Sequence, residues 1–206
     1  LMLSGKPIDN PIEINPIDVL GRQKVKIETN LYSHKYKNKS ILITGAGGSI
    51  GSEIAKQILL TEPKRLILID ISEFNLYKIE KSFQNEEIKF SEIKYYLCSV
   101  TDQELLSKII KSENIQVIIH AAAYKHVPII EENIVAGVKN NVIGTNTVVD
   151  AAIHHKIERL VFISTDKAVR PTSVMGASKR MAELIIQNKT SNIEQMETAI
   201  VRFGNV

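Results

Sequence analysis

The sequence holds a single cysteine, Cys98, and no tryptophan. One cysteine excludes an internal disulfide and fits a reducing compartment, so a cytoplasmic location is expected. No apolar run approaches the ~20 residues that span a bilayer, and no signal peptide opens the chain. Charge of one sign is nowhere concentrated: 26 Lys and Arg stand against 23 Asp and Glu, a formal net charge of +3. Without a dense basic cluster, a nucleic-acid partner is not expected. His154 and His155 close a helical stretch, read as solvated, with no partner at metal-ligand spacing, so no metal is expected either. Proline is sparse, and Pro7, Pro11 and Pro16 all fall near the start.

What is present is ordinary globular sequence of 206 residues, enough for one domain with a sizeable core. Residues 1–38 combine the early prolines with polar residues and no sustained period, and read as an extended leader or linker. Residues 39–206 read as the folded domain. The chain begins at Leu1 rather than Met and stops at Val206 just after a strand-like run; it is read as an internal piece of a longer protein.

From Ser40 onward short apolar runs alternate with longer amphipathic stretches. The runs are Ile41–Thr44, Leu66–Asp70, Ile93–Leu97, Val117–His120, Leu160–Ser164 and Ala199–Phe203. The amphipathic stretches are Ser49–Leu60, Ser72–Phe83, Asp102–Ser112, Asn133–His155 and Ser173–Asn188. Strand alternating with helix implies a parallel sheet covered on both faces. Six strands with right-handed crossovers predict an α/β, doubly wound parallel sheet in the order 3-2-1-4-5-6, the Rossmann fold.

The first strand runs into Gly45, Ala46, Gly47, Gly48, Ser49, Ile50 and Gly51. Glycines are expected where a strand turns sharply into a helix: Gly45 and Gly48 let backbone approach a pyrophosphate, and Gly51 lets the helix pack on the strand. The helix then aims its N–H groups and positive dipole end at the phosphates. Asp70 ends the second strand, about 20 residues on, where a carboxylate accepts from the adenosine ribose. A 2′-phosphate would meet that like charge, and Ile71 and Ser72 offer no cation, so NAD is favoured over NADP. An alternative is that Asp70 only caps the following helix.

Four further stretches sit at the carboxyl ends of later strands, where ligands bind in such sheets. They run from His120 to Pro128, from Ser164 to Lys167, from Met175 to Lys179 and from Arg202 to Val206. With the glycine loop, the strings HAAAYKHVP, STDKAV, MGASKR and RFGNV resemble extended short-chain dehydrogenases. The resemblance is strongest to the bacterial UDP-N-acetylglucosamine 4,6-dehydratases of capsule, O-antigen and protein-glycan synthesis, and covers roughly Pro16 to Val206.

That resemblance implies a UDP-sugar substrate and an NAD cofactor. Carbon 4 is oxidised, a base takes the carbon-5 proton, an acid protonates the departing carbon-6 hydroxyl, and the stored hydrogen returns to carbon 6. It implies that Thr165 contacts the 4-hydroxyl, that Asp166 is the acid and that Lys167 is the base, which requires a lowered pKa. An epimerase of the same fold needs no such acid–base pair. A solvated loop pair is the alternative reading of Asp166 and Lys167.

Lys179 is implied to hold the nicotinamide ribose, with Met175 one turn earlier on the same helix face. The wider superfamily has Tyr at the position of Met175, and a thioether has no titratable proton. The long, membrane-anchored branch of the family also carries Met there. Deprotonation of the 4-hydroxyl then falls to Asp166, Thr165 or a water. Cys98, Ser99 and Val100 stand where relatives have Gly-Asp-Val beside the adenine, so the usual acidic contact is missing.

By the same resemblance Ser99, Val100, Ala121, Ala122 and Ala123 line the cofactor site. Asn141 supports the active-site lysine, and Lys125, His126 and Asn205 face the substrate. Surface positions are the alternative for Lys125 and His126, and a core or helix-surface position for Asn141. Copies are expected to pair through the helices near Asn133–His155 and Ser173–Asn188. A membrane contact would come only through segments absent from this chain, at the cytoplasmic face of the inner membrane. Most of the substrate-binding part lies beyond Val206 in relatives. Two competing functions are a sugar-nucleotide epimerase and an inactive NAD-binding regulator of the same fold.

Overall fold

The computed structural model describes residues 33–84 and 92–204. Six strands form one parallel sheet: β1 (Ser40–Thr44), β2 (Arg65–Asp70), β3 (Glu92–Leu97), β4 (Val117–His120), β5 (Arg159–Thr165) and β6 (Glu197–Phe203). Their order is β3-β2-β1-β4-β5-β6. The helices are α1 (Ser33–Tyr36), α2 (Ser49–Leu59), α3 (Glu73–Gln84), α4 (Gln103–Ser112), α5 (Val127–Glu132), α6 (Ile134–Val138), α7 (Gly144–His154) and α8 (Val174–Thr190). The expected doubly wound sheet is therefore the observed one.

The strands read as continuous apolar runs because both faces are covered. In β1, Ile41 and Ile43 enter one core with Leu66, Leu68, Ile58 and Phe83. Leu42 points the other way, into a core with Ile67, Ile118, Val148 and Phe162. Side chains alternate faces along a strand, so each strand feeds both cores.

Three expectations need correction. The long amphipathic stretch from Asn133 to His155 is not one regular helix: α6 passes through a π-helical turn, Lys139–Ile143, before α7 resumes. A wider turn inserts one residue without disturbing the apolar pattern at either end, so periodicity does not reveal it. The preceding α5 was not expected at all, although Pro128 stands in its first turn, where proline is tolerated. Finally, the end of the stretch read as leader is built into the fold. Ser33–Tyr36 form a helical turn, and Lys35 and Lys37 pair with Glu197 and Glu62. Residues 1–32 lie outside the described residues. Among the described residues no helix is long and apolar enough to cross a membrane.

The topology positions the site. The chain leaves β1 toward β2 and β3, then returns to β4 on the other side, so β1 and β4 part company at their carboxyl ends. Thr44 and His120 are register partners at that point. Next door, His120 is also level with Phe162 of β5. Strand β5 continues through Ile163, Ser164 and Thr165, lifting Thr165 above the sheet edge beside the amino end of α8.

Candidate functional site

The glycine loop leaves β1 in a left-handed conformation, with φ +64° at Gly45. A Cβ there would lie 2.6 Å from the Ala122 Cα, so the loop and the segment after β4 touch backbone to backbone. Gly51 packs over the Gly45 carbonyl, as expected for a helix seated on its strand. Asp70 is buried at the end of β2. Its carboxylate accepts from Gly47 N–H at 3.0 Å and from Ser72 N–H at 2.9 Å. The cap of α3 is instead the Ser72 hydroxyl, which accepts from Asn75 N–H at 3.3 Å. Asp70 thus straps the glycine loop to β2 with a charge-assisted bond.

Two cavities open along the carboxyl edge and share Ala121, Ala123 and Tyr124 as a common wall. One, of about 330 Å³, is bounded by Gly45, Asp70, Ala122 and Val100. The other, of about 340 Å³, is bounded by Gly51, Lys125, Thr165, Lys167, Met175 and Lys179, and also by Ser49 and Ile50. Their arrangement in series, with the glycine loop between, fits an elongated ligand with a charged centre. A third, of about 460 Å³ and mostly apolar, lies beyond Lys125 and His126 against α5 and α6.

Within the second cavity, Thr165 ends β5 and opens a short 3-10 turn, Asp166–Ala168. Its hydroxyl accepts from Lys167 N–H at 3.3 Å and donates to Asp166 Oδ1 at 3.0 Å. Lys167 Nζ stands 3.4 Å from the same Asp166 oxygen. Asp166 and Lys167 are both exposed, a reading the sequence left open. The Thr165 hydroxyl, and after it the Lys167 ammonium, hold the Asp166 carboxyl below its ordinary range. Helix α8 crosses so close that a Cβ on Gly176 would overlap the Lys167 carbonyl oxygen.

Met175 and Lys179 are buried in the cavity wall on successive turns of α8. Lys179 Nζ donates to the Ile163 carbonyl at 2.7 Å and lies 4.0 Å from the centre of the Phe162 ring. Burial pulls the Lys179 amine down to about 7, against a weaker opposing pull from Glu183. Glu183, one turn further on, is buried among donors. Ser164 Oγ (2.6 Å), Arg202 Nε (2.8 Å) and Nη2 (2.7 Å) and Arg180 Nη1 (2.9 Å) all donate to it. Burial alone would raise its pKa, but these donors, Arg202 first, hold it at about 2.

A buried polar chain underlies both cavities. Ala122 N–H donates to Thr44 Oγ1 at 3.2 Å, and Thr44 Oγ1 lies 2.7 Å from His120 Nδ1. His120 Nε2 lies 3.0 Å from Thr145 Oγ1, whose proton goes to the Asn141 carbonyl at 2.6 Å. With that proton committed, Thr145 must accept from His120 Nε2–H, so Nδ1 accepts from Thr44. Burial first, then the Lys179 charge, lowers the imidazole to about 3, so the ring is neutral. Asn141 Oδ1 accepts from Tyr124 N–H, and Nδ2 donates to Tyr124 O and to Ser178 Oγ. Thr44, His120, Thr145, Ser178, Glu183 and Arg202 were not singled out from the sequence.

Of the residues expected at the site, Gly47, Gly48, Ser99, Asn141 and Asp166 are not among those lining the first two cavities, although the turn that carries Asp166 sets its neighbours Thr165 and Lys167 in the wall of the second. Gly47 is tied to Asp70, Ser99 Oγ is paired with Thr101 Oγ1 at 2.9 Å, and Asn141 lies beneath the floor. Cys98 lines the first cavity with its thiol pushed up to about 11, by burial and then by Asp102. His126 borders only the third cavity. Asn205 lies outside the described residues. His155, expected to be solvated, is half-buried and 2.7 Å from Ser107 Oγ. No group of His, Cys, Asp and Glu among the described residues could hold a metal.

Compared with known proteins, residues 41–206 match the family described as "Polysaccharide biosynthesis protein". The chain belongs to that family. Among its relatives, the "Probable polysaccharide biosynthesis protein EpsC" of Bacillus subtilis (strain 168) is 41% identical over 194 residues, 94% of this chain and 32% of the relative. A "UDP-N-acetylglucosamine 4,6-dehydratase (inverting)" of Campylobacter jejuni is 30% identical over 83% of this chain and 50% of its own length. A "UDP-glucose 4-epimerase" of Rickettsia akari is 31% identical over the same shares. This polysaccharide biosynthesis chain thus spans about a third to a half of those relatives. Among solved structures, Pen from Bacillus thuringiensis is 34% identical, with TM-score 0.76 over 83% of this chain and 53% of its own. The dTDP-glucose 4,6-dehydratase DesIV of Streptomyces venezuelae, solved with NAD and TYD bound, shares the fold: 22% identity, TM-score 0.68, 79% of this chain and 55% of its own.

Proposed function

We propose that this chain is the dinucleotide-binding part of an NAD-dependent nucleotide-sugar 4,6-dehydratase, acting on UDP-N-acetylglucosamine in surface polysaccharide or glycan synthesis. The observation that carries the reading is the Thr165–Asp166–Lys167 turn: Thr165 and Lys167 line the cavity that Met175 and Lys179 also wall, and Lys167 is paired with the Asp166 carboxylate beside it. Epimerisation needs no such pair. The dehydratase name of the Campylobacter relative and the NAD in the DesIV structure support the same reading.

The residues present fit a dinucleotide. The loop from Gly45 to Gly51 presents backbone N–H groups at the start of α2 for a pyrophosphate. Asp70, already fixed by Gly47 and Ser72, faces the first cavity with capacity left for ribose hydroxyls. Lys179 and Met175 border the second cavity, where the nicotinamide end would lie. Bound there, NAD would supply the hydride acceptor for oxidation at carbon 4 and the hydride donor for reduction at carbon 6.

The chain's own residues do the rest. Thr165 hydrogen-bonds the 4-hydroxyl. Substrate covering the turn removes water from the Asp166–Lys167 pair, and lower dielectric disfavours separated charge. A proton passing from Lys167 to Asp166 then leaves an amine for the carbon-5 proton and a carboxyl for the carbon-6 hydroxyl, and Lys167 gives its proton back to carbon 5 as carbon 6 is reduced. Lys125, in the wall of the second cavity, is assigned to the sugar nucleotide, and so is His126 at the neighbouring third cavity. Pairing of copies through α6, α7 and α8 belongs to the same reading, and Val135, Met181 and Leu184 are exposed there. The test is to incubate the full-length protein with UDP-N-acetylglucosamine and NAD and identify the product by NMR. A 4-keto-6-deoxy sugar is expected, and Asp166→Asn should abolish it while NAD stays bound. A 4-epimer would overturn the reading.

A further inference from the structure

We propose that Lys179, buried in the cavity wall, takes the proton of the hydroxyl that is oxidised. The inference rests on the dehydratase reading and deepens it. Oxidising carbon 4 requires a proton acceptor, and the residue where the superfamily has Tyr is Met175, which can accept none. Asp166 is needed with a proton at carbon 6, and Lys167 without one at carbon 5. Thr165 already donates its hydroxyl proton to Asp166. Lys179 is the remaining basic side chain buried in that wall.

Its surroundings suit a group that alternates between amine and ammonium. Groups on every packed element bear on it. On its own helix Glu183 is the neighbouring carboxylate, but that charge is already answered by Arg180 and by Arg202 of β6. From β4, His120 is a neutral ring held between two threonines. From the turn after β5, Asp166 and Lys167 pair with each other, and Lys125 contributes a further cation at the cavity wall. Among the described residues Lys179 forms no ion pair. Desolvation without a counter-ion favours the neutral amine, in accord with a value of about 7. One N–H remains on the Ile163 carbonyl and the lone pair is left for the substrate. Once protonated, the ammonium keeps that carbonyl and lies against the face of Phe162, a contact that favours the cation.

The step balances. The sugar O–H proton goes to the Nζ lone pair, the C–H hydrogen leaves with its electron pair to the oxidised nicotinamide dinucleotide, and C=O forms at carbon 4. Lys179 then releases its proton to solvent. One proton from solvent restores Asp166 after it has protonated the departing hydroxyl.

The test uses the full-length protein. NAD is titrated calorimetrically without sugar, just below neutral pH, in two buffers of different ionisation enthalpy. The positive nicotinamide should expel the Lys179 proton, so wild type releases a fraction of a proton that Lys179→Met does not. Equal proton counts in the two would overturn the proposal. In turnover with UDP-N-acetylglucosamine, Lys179→Arg keeps a cation that cannot act as a base. It should bind NAD within a few-fold of wild type and lose about 10²-fold or more in kcat. Near-normal turnover of Lys179→Arg would overturn the proposal by showing that charge alone suffices. Proton release intact in a wild type that forms no ketone would instead overturn the dehydratase reading, and with it the assignment of the proton to a sugar hydroxyl. Melting curves establish that both variants are folded.

Discussion

Asn141 grips Tyr124 by both its backbone N–H and its backbone carbonyl. Its Oδ1 accepts from Tyr124 N–H at 2.8 Å and its Nδ2 donates to Tyr124 O at 2.9 Å. The second Nδ2 hydrogen goes to Ser178 Oγ, whose own proton goes to the Met175 carbonyl at 2.8 Å. One carboxamide on a π-helical turn therefore locks the segment after β4 to α8, and with it the shared wall of both cavities. Wide turns of this kind are frequent at functional sites.

Asn141→Asp tests that lock. The carboxylate keeps the bond from Tyr124 N–H but sets a second acceptor against the Tyr124 carbonyl and leaves Ser178 without its donor. An unsatisfied buried group costs about 1–3 kcal/mol, more where charged. The variant should melt earlier and bind NAD more weakly, and both are read in one thermal-shift series with increasing dinucleotide. Wild-type melting with unchanged NAD affinity would remove Asn141 from the scaffold.

His120 makes a pH prediction. Its folded value of about 3 lies below the ordinary 6.5. Above about 6.5 the ring is neutral folded or unfolded and contributes no slope. As pH falls from there toward about 3, the unfolded chain takes up a proton that the fold refuses. Stability then declines by up to about 1.4 kcal/mol per pH unit from this one group. Denaturant melts across that range should lose this component in His120→Gln. A variant whose stability keeps the same slope as wild type would show that the ring is not held neutral.

These networks also show where sequence reading ends. The fold was legible because both faces of the sheet are buried, which makes every strand a short apolar run, and because Gly45–Gly51 mark the turn into α2. Thr165 and Lys167 were legible as a string at a strand end, and Met175 and Lys179 as a pair one turn apart on a helix face. Thr44 and His120 were not, because each looks like the polar last residue of a strand until the sheet order makes them partners. Glu183 did carry a signal: it lies one turn beyond Lys179 on the buried stripe of α8, where a carboxylate demands compensating donors. The π-helical turn left no trace in the period, and so Asn141 could not be placed under the cavity floor.

Cofactor choice follows from Asp70. Its carboxylate is fixed by Gly47 and Ser72 and faces the first cavity, with no Arg or Lys among the residues bounding that cavity. A 2′-phosphate would set like charges together, so NAD should bind more tightly than NADP, as calorimetry with both would measure. Asp70→Asn should narrow the difference, chiefly by weakening NAD, because the glycine loop loses a charged strap along with a ribose acceptor. Tighter NADP binding by wild type would contradict this.

The last prediction separates packing from charge on α8. Met175 is 4% exposed and borders the same cavity as Lys179. If its thioether only fills space, Met175→Leu should be tolerated, since near volume-conserving apolar exchanges usually cost less than about 1.5 kcal/mol. Neither side chain accepts a proton, so turnover should stay within a few-fold of wild type. Lys179→Ala should behave differently. It empties the space between the Ile163 carbonyl and the Phe162 ring and removes the amine from the wall, so both NAD affinity and kcat should fall, with kcat lower by about 10²-fold or more. Steady-state turnover and NAD titration of both variants, in full-length protein shown to be folded by its melt, give the comparison. A folded, NAD-binding Met175→Leu that is as inactive as Lys179→Ala would mean that the sulfur itself takes part, and that the role of this position is not one of volume.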